Sequence, residues 1–517
     1  MGSDEASRSS TMWDRISRGE LNAAATDAQL LLASADAPAD RAEAHAGLGL
    51  VLQRVGRVAE SRDHFARAAE LTLSQPRVQA SYVAHEAGSR FLLGDLAGAG
   101  RRAERARRLG EQHANRFAAC QALTTLTAVA LAEGRPAAAL RLARLAVRLQ
   151  EAQPEHAGAA PMPHLYLGLA LVDLDRFEEA EVAFADGLVR AQAARTASQV
   201  TWLHATRGVA RFLSGQWDGA IADMRWALDS IDRTGTLAAR PLARGVLGLV
   251  EAIRGNVAAA AAQVAPHEGT LIAVGLPGEE WLAMARAAMA DRPDTAYEAL
   301  VEAWLHTRRT PYFLSWRALA PAVVQVATRQ DDRALATDVT ARAEAGAGLA
   351  AGVASARGAA LRCRAVLDND TDAALAAVEA LRTSGRPFAF AAACLDAALI
   401  LHAAGDDERS RSVLRDSADA FHGLRATPWL AYTGQRLVHL AAAPPTPAAA
   451  LPGWELLTPT EREVARRVAR GLSNPQVGSE LFVSPRTVQT HTSHIYAKLR
   501  ISSRVQLSAL LHEHGLD

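Results

Sequence analysis

The hydrophobic and polar positions of residues 485–499 recur with the period of an α-helix. At 100° per residue, one side of that helix carries the positions that can pack against a core, namely Val488, Thr492, Ile495 and Leu499. The polar side chains Arg486, Gln489, Thr490 and Ser493 fall on the opposite side. A helix fits the major groove of DNA, where Gln pairs bidentately with adenine and Ser or Thr meets several base edges. One face is therefore expected to pack and the other to read DNA.

Three helix starts lie close together in the same region. Each combines a side chain that can cap a helix with a proline or a capping partner just after it, in the groups Thr458-Pro459-Glu461, Ser473-Pro475-Gln476 and Ser484-Pro485-Thr487. Because short intervals separate the three caps, they predict a succession of helix, helix, turn and helix. This succession is typical of a DNA-reading module.

The segment resembles the LuxR-type helix-turn-helix domain. The residues that match the pattern of that family are Leu457, Thr458, Glu461, Arg462, Glu463, Gly471, Leu472, Ser473, Asn474, Leu481, Ser484, Thr487, Val488, His491, Ile495, Lys498, Leu499 and Arg504. The resemblance covers residues 453–517 only. It implies a four-helix domain at 454–517, with a helix-turn-helix motif at about 474–493, a scaffold helix at about 474–482 and a recognition helix at about 485–499.

The resemblance also implies roles for individual residues. The side chains pointed at DNA bases are Gln489, Thr490 and Ser493, and those near the DNA backbone are Ser484, Arg486, Thr487 and Lys498. A dimer helix that begins near Ser503 presents Val505, Leu507, Leu510 and Leu511. Two positions depart from the family pattern, which commonly has Lys in place of Gln489 and Ala in place of Gly478. The first change removes a charge from the reading face, and the second allows close helix packing.

Three side chains of the recognition helix allow two interpretations each. His491 lies at the edge of the packed stripe, and this spacing favours a structural role over a DNA contact. Lys498, near the C-terminal end of the helix, suits both the helix dipole and a DNA phosphate. Tyr496 suits both core packing and a contact with the DNA backbone.

The residues before this segment form a repeat array. A glycine between two helical stretches recurs every 37 to 41 residues, at Gly19, Gly56, Gly94, Gly134, Gly215 and Gly255, with Asp175 in the one gap. Five positions after each of these anchors from 56 onward lies a small residue, namely Ser61, Ala99, Ala139, Ala180, Ala220 and Ala260. This period is typical of stacked helical hairpins. The small residues are expected where the paired helices approach closely.

Two units of the array resemble tetratricopeptide repeats, one from Leu48-Gly49 to Phe65 and Ala68, the other from Leu167-Gly168 to Phe184. Beyond residue 260 the spacing loosens, but 281–300, 319–339, 359–381 and 391–418 still have the pattern of helix pairs. We therefore predict an all-α fold in which a tetratricopeptide-like solenoid spans residues 11–440. A Pro- and Ala-rich linker at 441–453 separates it from the terminal domain. The breaks at 154–163 and 265–278 are expected to be loops between hairpins, with lids over a ligand groove as the alternative.

Composition narrows the possible classes of protein. The chain has 517 residues, a formal net charge of zero, and no apolar run long enough for a membrane span. Its polar start predicts no export signal, so a cytoplasmic location is expected. Residues 458–517 hold eight Arg or Lys against five Asp or Glu, which places the basic excess where DNA is expected. Cys120, Cys363 and Cys394 are few and widely spaced, and they are expected to be buried thiols.

The sequence gives little support for catalysis or for a cofactor. It has no motif with metal-ligand or nucleophile spacing. The phosphate-binding loop of ATPases requires a lysine, and the single lysine of this chain is Lys498. The chain therefore lacks the ATPase domain of the large ATP-binding LuxR-type regulators, which it resembles in its helical repeats and its DNA-binding domain.

The sequence predicts a regulator of transcription that binds double-stranded DNA as a homodimer and contacts the transcription machinery. The solenoid is expected to sense a peptide, protein or small molecule. The alternative is a repeat-based adaptor whose terminal module does not control promoters directly. A catalytic solenoid is a third possibility, which would require turnover by residues 1–440.

Overall fold

The computed structural model describes residues 3–151, 162–234, 237–265, 278–307, 314–441, 453–454, 456–481, 483–501 and 503–513. The chain divides into two compact units, Met1–Gly434 and Gln435–Asp517. The described residues form α-helices, one 3-10 helix at Leu237–Ala239 and no strand, so the all-α prediction is confirmed.

The first unit consists of paired helices. In chain order the helices are α1 (Ser3–Arg18), α2 (Leu21–Ser34), α3 (Pro38–Arg54), α4 (Val58–Leu71), α5 (Pro76–Leu92), α6 (Leu96–Gln112), α7 (Arg116–Ala132), α8 (Pro136–Glu151), α9 (Pro163–Asp173), α10 (Phe177–Ala193), α11 (Ala197–Leu213), α12 (Trp217–Thr234), α13 (Arg240–Arg254), α14 (Val257–Val264), α15 (Glu279–Ala288), α16 (Pro293–His306), α17 (Trp316–Arg329), α18 (Arg333–Leu349), α19 (Ala354–Asp368), α20 (Thr371–Arg382), α21 (Pro387–Ala403), α22 (Asp407–Leu424) and α23 (Thr427–Ala441). Consecutive helices pair as hairpins from α1–α2 to α21–α22. The boundary between the two units falls within α23. The second unit also contains α24 (Pro459–Ala469), α25 (Asn474–Leu481), α26 (Pro485–Leu499) and α27 (Arg504–Glu513).

The turn inside each of the first seven hairpins contains the anchor residue that the sequence repeats. The six anchor glycines have φ angles between +73° and +89°, and Asp175 has φ +59°. Glycine adopts this left-handed conformation without steric cost, which is why it recurs at one point of each repeat. The predicted repeat is confirmed.

The repeat continues beyond residue 260, where the sequence pattern loosens. The turns of α17–α18, α19–α20 and α21–α22 also contain left-handed residues, namely Asp331, Asn369 and Gly405. Asn and Asp tolerate this conformation better than other residues with a side chain. A search for repeated glycines misses the first two of these turns because Asp and Asn replace glycine there.

The small residues that follow the anchors are enclosed by the packing of the helices. Ser61, Ala99, Ala139, Ala180, Ala220 and Ala260 are all completely buried. A second close approach explains the Leu-Gly motif of the tetratricopeptide-like units, because a Cβ atom added at Gly168 would lie 2.4 Å from Cε1 of Phe184. The equivalent distance from Gly49 to Cζ of Phe65 is 2.9 Å. The glycine on the first helix therefore makes room for the phenylalanine on the second.

The hairpins of the first unit wind into a superhelix whose successive turns touch. A Cβ atom at Gly19 would lie 3.5 Å from the carbonyl oxygen of Thr234, the last residue of α12. Six hairpins, α1 to α12, therefore complete one superhelical turn. The later helices pack against the hairpin turns of this first turn, since a Cβ atom at Gly215 would lie 2.5 Å from Cγ of Pro387.

A buried ion cluster joins the two superhelical turns. Arg386 donates from Nε to Asp175 Oδ1 at 2.8 Å and from Nη2 to the carbonyl oxygen of Val172 at 2.8 Å. Arg317 pairs with Asp173 at 2.9 Å, and the guanidinium groups of Arg317 and Arg386 are each only 4% exposed. Burial raises the pKa of the Asp173 carboxyl, although both guanidinium groups oppose this shift. Asp175 therefore replaces the expected anchor glycine because its carboxylate holds the next superhelical turn.

The second unit has its own hydrophobic core. The buried residues of this core are Leu457, Val464, Ala465, Val468, Val477, Val488, Ile495, Leu499, Leu507 and Leu511. Leu457 precedes α24, and the other core residues come from α24, α25, α26 and α27. This shared core positions α25 and α26 as the two helices of a helix-turn-helix.

Several further predictions can be compared with the described residues. The three cysteines are buried and unpaired, as expected. Among the described helices none has the length and hydropathy needed to cross a bilayer. The two breaks at 154–163 and 265–278, and the linker at 441–453, lie almost entirely outside the described residues.

The ion cluster leads to a test of the contact between superhelical turns. Arg386→Met should leave the buried carboxylate of Asp175 without its nearest cation, with Arg317 Nη1 4.0 Å away, and breaking a buried pair in this way costs up to about 3–5 kcal/mol. We expect a loss of this size in the local opening free energy of α10 and α21, measured by native-state hydrogen exchange. The exposed pair Arg409–Asp406 supplies the control, since Arg409→Met should cost less than about 1 kcal/mol. Equal effects of the two substitutions would show that the cluster does not hold the turns together.

Candidate nucleic-acid interface

The second helix of the helix-turn-helix, α26, begins at a well-formed cap. The Ser484 hydroxyl accepts from the backbone N–H of Thr487 at 3.0 Å and lies 2.7 Å from the Thr487 hydroxyl. Pro485 occupies the first helical position. The predicted cap of this helix is therefore confirmed. Both hydroxyls lie at the positive end of the helix dipole, where a DNA phosphate would be favoured.

The two faces of α26 differ in burial as the helical period predicts. The inward side chains Val488, Thr492, Ile495 and Leu499 are all buried. The outward side chains Arg486, Gln489, Thr490 and Ser493 are all exposed. Thr490 donates to the carbonyl oxygen of Arg486 at 3.0 Å, and Ser493 donates to that of Gln489 at 3.1 Å. These bonds hold the two hydroxyls against the helix and leave their oxygen lone pairs as acceptors.

Gln489 and Arg486 are the uncommitted polar groups of this face. Neither side chain has a hydrogen bond or an ion pair with another described residue. Arg467, in contrast, pairs with Glu463 and with Glu480. The Gln489 amide therefore offers a donor and an acceptor side by side, and the Arg486 guanidinium offers a full charge, without first breaking an internal contact.

Lys498 is committed to a contact inside the unit. Its Nζ lies 2.6 Å from Oε2 of Glu461, and the same carboxylate oxygen accepts from the backbone N–H of Thr458 at 2.8 Å. Thr458 and Glu461 together form the predicted capping box of α24. Burial acts to raise the pKa of Glu461, but the hydrogen bonds from Lys498 and Thr458 outweigh it and lower that pKa to about 2. The side chain of Lys498 thus ties α26 to the start of α24, and it could reach a phosphate only by leaving this site.

Two further arginines were not singled out from the sequence. Arg470 and Arg500 follow the last residues of α24 and α26, are exposed, and have no side-chain partner among the residues that the structure describes. Arg500 has a left-handed φ of +53°. Their positions just after helix ends gave the only sequence signal, and helix ends commonly carry basic residues for the dipole alone.

The turn between α25 and α26 is tight, and it accounts for the departure at Gly478. The backbone N–H of Val483 donates to the carbonyl oxygen of Gly478 at 2.9 Å. A Cβ atom at position 478 would lie 2.6 Å from the carbonyl oxygen of Val483. Gly478 is therefore needed for this approach of the chain. At the start of α25, the backbone N–H and the hydroxyl of Ser473 both donate to Oε1 of Gln476 at 2.8 Å.

Helix α27 contributes to the core of the unit. Leu507 and Leu511 are completely buried, and Leu510 packs partly buried against the same core. The side chain of Val505 lies outside the described residues. Leu507 and Leu511 are two of the four side chains that the resemblance assigns to a dimer helix, and both are already enclosed within one chain. A charge at Leu507 would therefore disrupt the folded unit itself. Leu510 is the described side chain of this set that keeps an exposed part.

Tyr496 and His491, the other two side chains of α26 for which the sequence allows two interpretations, are partly buried. Tyr496 packs against the core, and burial raises its pKa. His491 lies at the margin between the buried and exposed faces, where it makes no hydrogen bond to another described residue. His494, on the exposed side, places Nδ1 3.9 Å from Oε1 of Glu461.

Comparison with known proteins supports the identity of the second unit. Residues 455–511 match the model described as bacterial regulatory proteins, luxR family. A protein of Mycobacterium tuberculosis (strain H37Rv) that bears the name of an HTH-type transcriptional regulator is 66% identical over 55 residues, which are 11% of this chain and 6% of that protein. The transcriptional regulatory protein LiaR of Bacillus subtilis is 40% identical over 62 residues, which are 12% of this chain and 29% of LiaR. The chain thus matches only a small part of the length of these relatives.

One solved structure matches this chain over most of its length at low similarity. The crystal structure of a Rap protein complexed with competence and sporulation factor is 11% identical to this chain, with a TM-score of 0.38. The similarity covers 85% of this chain and 97% of the Rap protein.

The burial of Leu507 predicts the effect of a core substitution. A fragment of residues 450–517 should fold alone and melt cooperatively, since its core is complete. Leu507→Ala should remove about 2–5 kcal/mol of its stability, which would lower the melting temperature by roughly 10 °C or more, or abolish the transition. Leu456, which is 61% exposed, gives the control Leu456→Ala with almost no change. Circular dichroism measures both, and a stable Leu507→Ala fragment would place Leu507 outside the core.

The low pKa of Glu461 predicts how the same fragment responds to acid. Because the pKa of the folded state is depressed, to about 2, the contribution of Glu461 to stability is fully present above its ordinary value of about 4.3. It is lost progressively as the pH falls from there toward 2. Glu461→Gln should therefore lower the melting temperature at pH 7 much more than at pH 3. Parallel pH profiles for wild type and Glu461→Gln would contradict the assignment.

Proposed function

We propose that this chain is a sequence-specific DNA-binding regulator of transcription, in which the helical-repeat unit senses an effector or binds a partner. The observation that carries the proposal is the outward face of α26, where Arg486, Gln489, Thr490 and Ser493 are exposed and where Gln489 and Arg486 have no partner among the described residues. The luxR family match over residues 455–511 supports it. The function is recognition without turnover, and it takes place where chromosomal DNA is, in the cytoplasm.

The contacts with DNA divide into two classes. Gln489, Thr490 and Ser493 face the bases, where the amide of Gln489 suits adenine. Ser484, Thr487 and Arg486 lie at the start of α26 and contact the backbone. Lys498 joins them only if it exchanges Glu461 for a phosphate. Arg470 and Arg500 add uncommitted positive charge to the same unit.

The protein acts as a homodimer on DNA. The second unit carries a small basic excess, so one copy makes few phosphate contacts and two copies double them. Helix-turn-helix dimers read paired half-sites, whose symmetry mirrors that of the protein. Helix α27 supplies the dimer contact through the exposed part of Leu510 and through Val505. Bound in this way, the protein contacts the transcription machinery.

A repeat-based adaptor remains the alternative function. In that case the second unit anchors the chain to DNA or to a protein without selecting promoters. Genome-wide mapping of DNA occupancy separates the two functions. Discrete sites that share a palindromic sequence support the regulator, and diffuse or absent occupancy supports the adaptor.

Two substitutions test the proposed docking of α26. Gln489→Ala should flatten the preference at one base pair in each half-site, at a cost of about 1–3 kcal/mol for the preferred base. Arg486→Ala should weaken all sequences alike and reduce the salt dependence of binding by about one ion per subunit. Arg409→Ala, which removes an exposed arginine of the first unit, is the charge-matched control. The measurement is selection from a randomised operator library, and a wild-type base profile for Gln489→Ala would refute the docking geometry.

A further inference from the structure

The first helices of consecutive hairpins, from α3 to α15, surround a cavity in the first unit. Its volume is about 260 Å³. One water molecule needs roughly 10–15 Å³ of such volume, so the cavity has room for a small organic molecule. The cavity lies on the inner side of the superhelical turn that α1 and α12 close. Its walls are therefore fixed by the same hairpin packing that defines the repeat.

Most of the cavity wall is apolar or aromatic. The large side chains that line it include Phe91, Tyr166, Trp202 and Trp281. Burial lowers the pKa of the lining residue His85 to about 4 and raises that of Tyr166 to about 12, so both are neutral at pH 7. No carboxylate belongs to the described lining. Such a wall suits a ligand with an apolar or aromatic body.

One lining residue carries a charge. Arg54, at the end of α3, donates from Nη1 to the carbonyl oxygen of Ile16, and it forms no ion pair with any carboxylate of the described residues. Burial lowers its pKa, and no acidic group counters this effect. A guanidinium group that is largely withdrawn from water normally has an anionic partner, because an unpaired buried charge is costly.

Neutral donors accompany this charge. The indole N–H of Trp202 and the hydroxyl of Tyr166 line the cavity, and neither has a hydrogen-bond partner among the described residues. The side-chain amide of Gln121 is likewise uncommitted within the described part of the chain. All three side chains are partly exposed, so their uncommitted donors around one charged group are available to a ligand with acceptor atoms.

We propose that this cavity binds a small organic monoanion, a carboxylate on an apolar or aromatic body, with Arg54 as the partner of the carboxylate. Its size admits on the order of ten or more non-hydrogen atoms, which is the size of a small organic molecule. We further propose that this molecule is the effector of DNA binding. The effector role rests on the proposed function, whereas binding of the anion does not.

The binding test uses two probes that differ only in charge. 2-Naphthoate and 2-naphthamide have the same aromatic body and the same number of non-hydrogen atoms, and isothermal titration measures their affinity for the full-length chain. The acid should bind about tenfold to a hundredfold more tightly than the amide, the range of a charge-assisted hydrogen bond. Arg54→Met should remove this difference while leaving the affinity for the amide within about twofold.

A matched pair of glycine substitutions tests the location. Gly88 lines the cavity, and a Cβ atom there would meet only ordinary contacts, at 3.8 Å and 3.9 Å. Gly88→Leu should therefore fill the cavity, keep helix α5 intact and abolish binding of both probes. Gly100→Leu in α6, where nothing lies within 4 Å of an added Cβ atom, should bind both probes as the wild type does. The proposal is wrong if neither probe binds the wild type, if acid and amide bind equally, or if Gly88→Leu still binds.

The effector role has a separate readout. DNA sites enriched by the full-length chain from a random library are titrated with and without saturating 2-naphthoate. A change in DNA affinity of threefold or more, absent in Gly88→Leu, is expected. An unchanged affinity with intact probe binding overturns the effector role alone. If no DNA site is enriched, the proposed function fails and the binding results for the cavity still stand.

Discussion

The first unit depends on the buried contact between Asp175 and Arg386. Helical hairpins stack only with their neighbours, so a solenoid is in principle an open spring with no contacts between distant repeats. Here a guanidinium group from the second superhelical turn reaches the carboxylate and the Val172 carbonyl of the first. The contact spans more than two hundred residues, and together with Arg317 it fixes the pitch of the superhelix. A fixed pitch keeps the inner cavity at one size.

The same electrostatic rule separates structural charges from available ones in the second unit. Arg467 and Lys498 each face a carboxylate, and Lys498 in particular is held by a glutamate that also caps a helix. Arg486, Arg470 and Arg500 have no such partner among the described residues. The net charge of the second unit is small, but its unpaired arginines still give the surface a positive potential. The charges of the internal ion pairs largely cancel and contribute little to the potential near DNA.

Much of this could be predicted from the sequence, because backbone geometry restricts which residues can occupy certain positions. A left-handed turn favours glycine, and a helix start favours Ser, Thr or Asp. These residues mark the helix ends in the sequence, so the hairpins and the three terminal helices can be predicted from them. The turns at Asp331 and Asn369 could not be predicted from repeated glycines, because Asp and Asn adopt the left-handed conformation there in place of glycine. The role of Asp175 could not be predicted, since its partner Arg386 is brought near only by the winding of the superhelix.

The sequence also could not predict what the apolar face of helix α27 packs against. An apolar stripe predicts that a helix face is buried. It does not show whether that face packs against the core of the same chain or against a second copy. For Leu507 and Leu511 the cover is the core of the unit itself. Arg54 is the opposite case, because its charge has no carboxylate partner among the described residues. An apolar stripe that is already enclosed needs no partner, whereas the partly buried charge of Arg54 has no counter-ion among the described residues. For this reason the cavity rather than α27 carries the inference about a ligand.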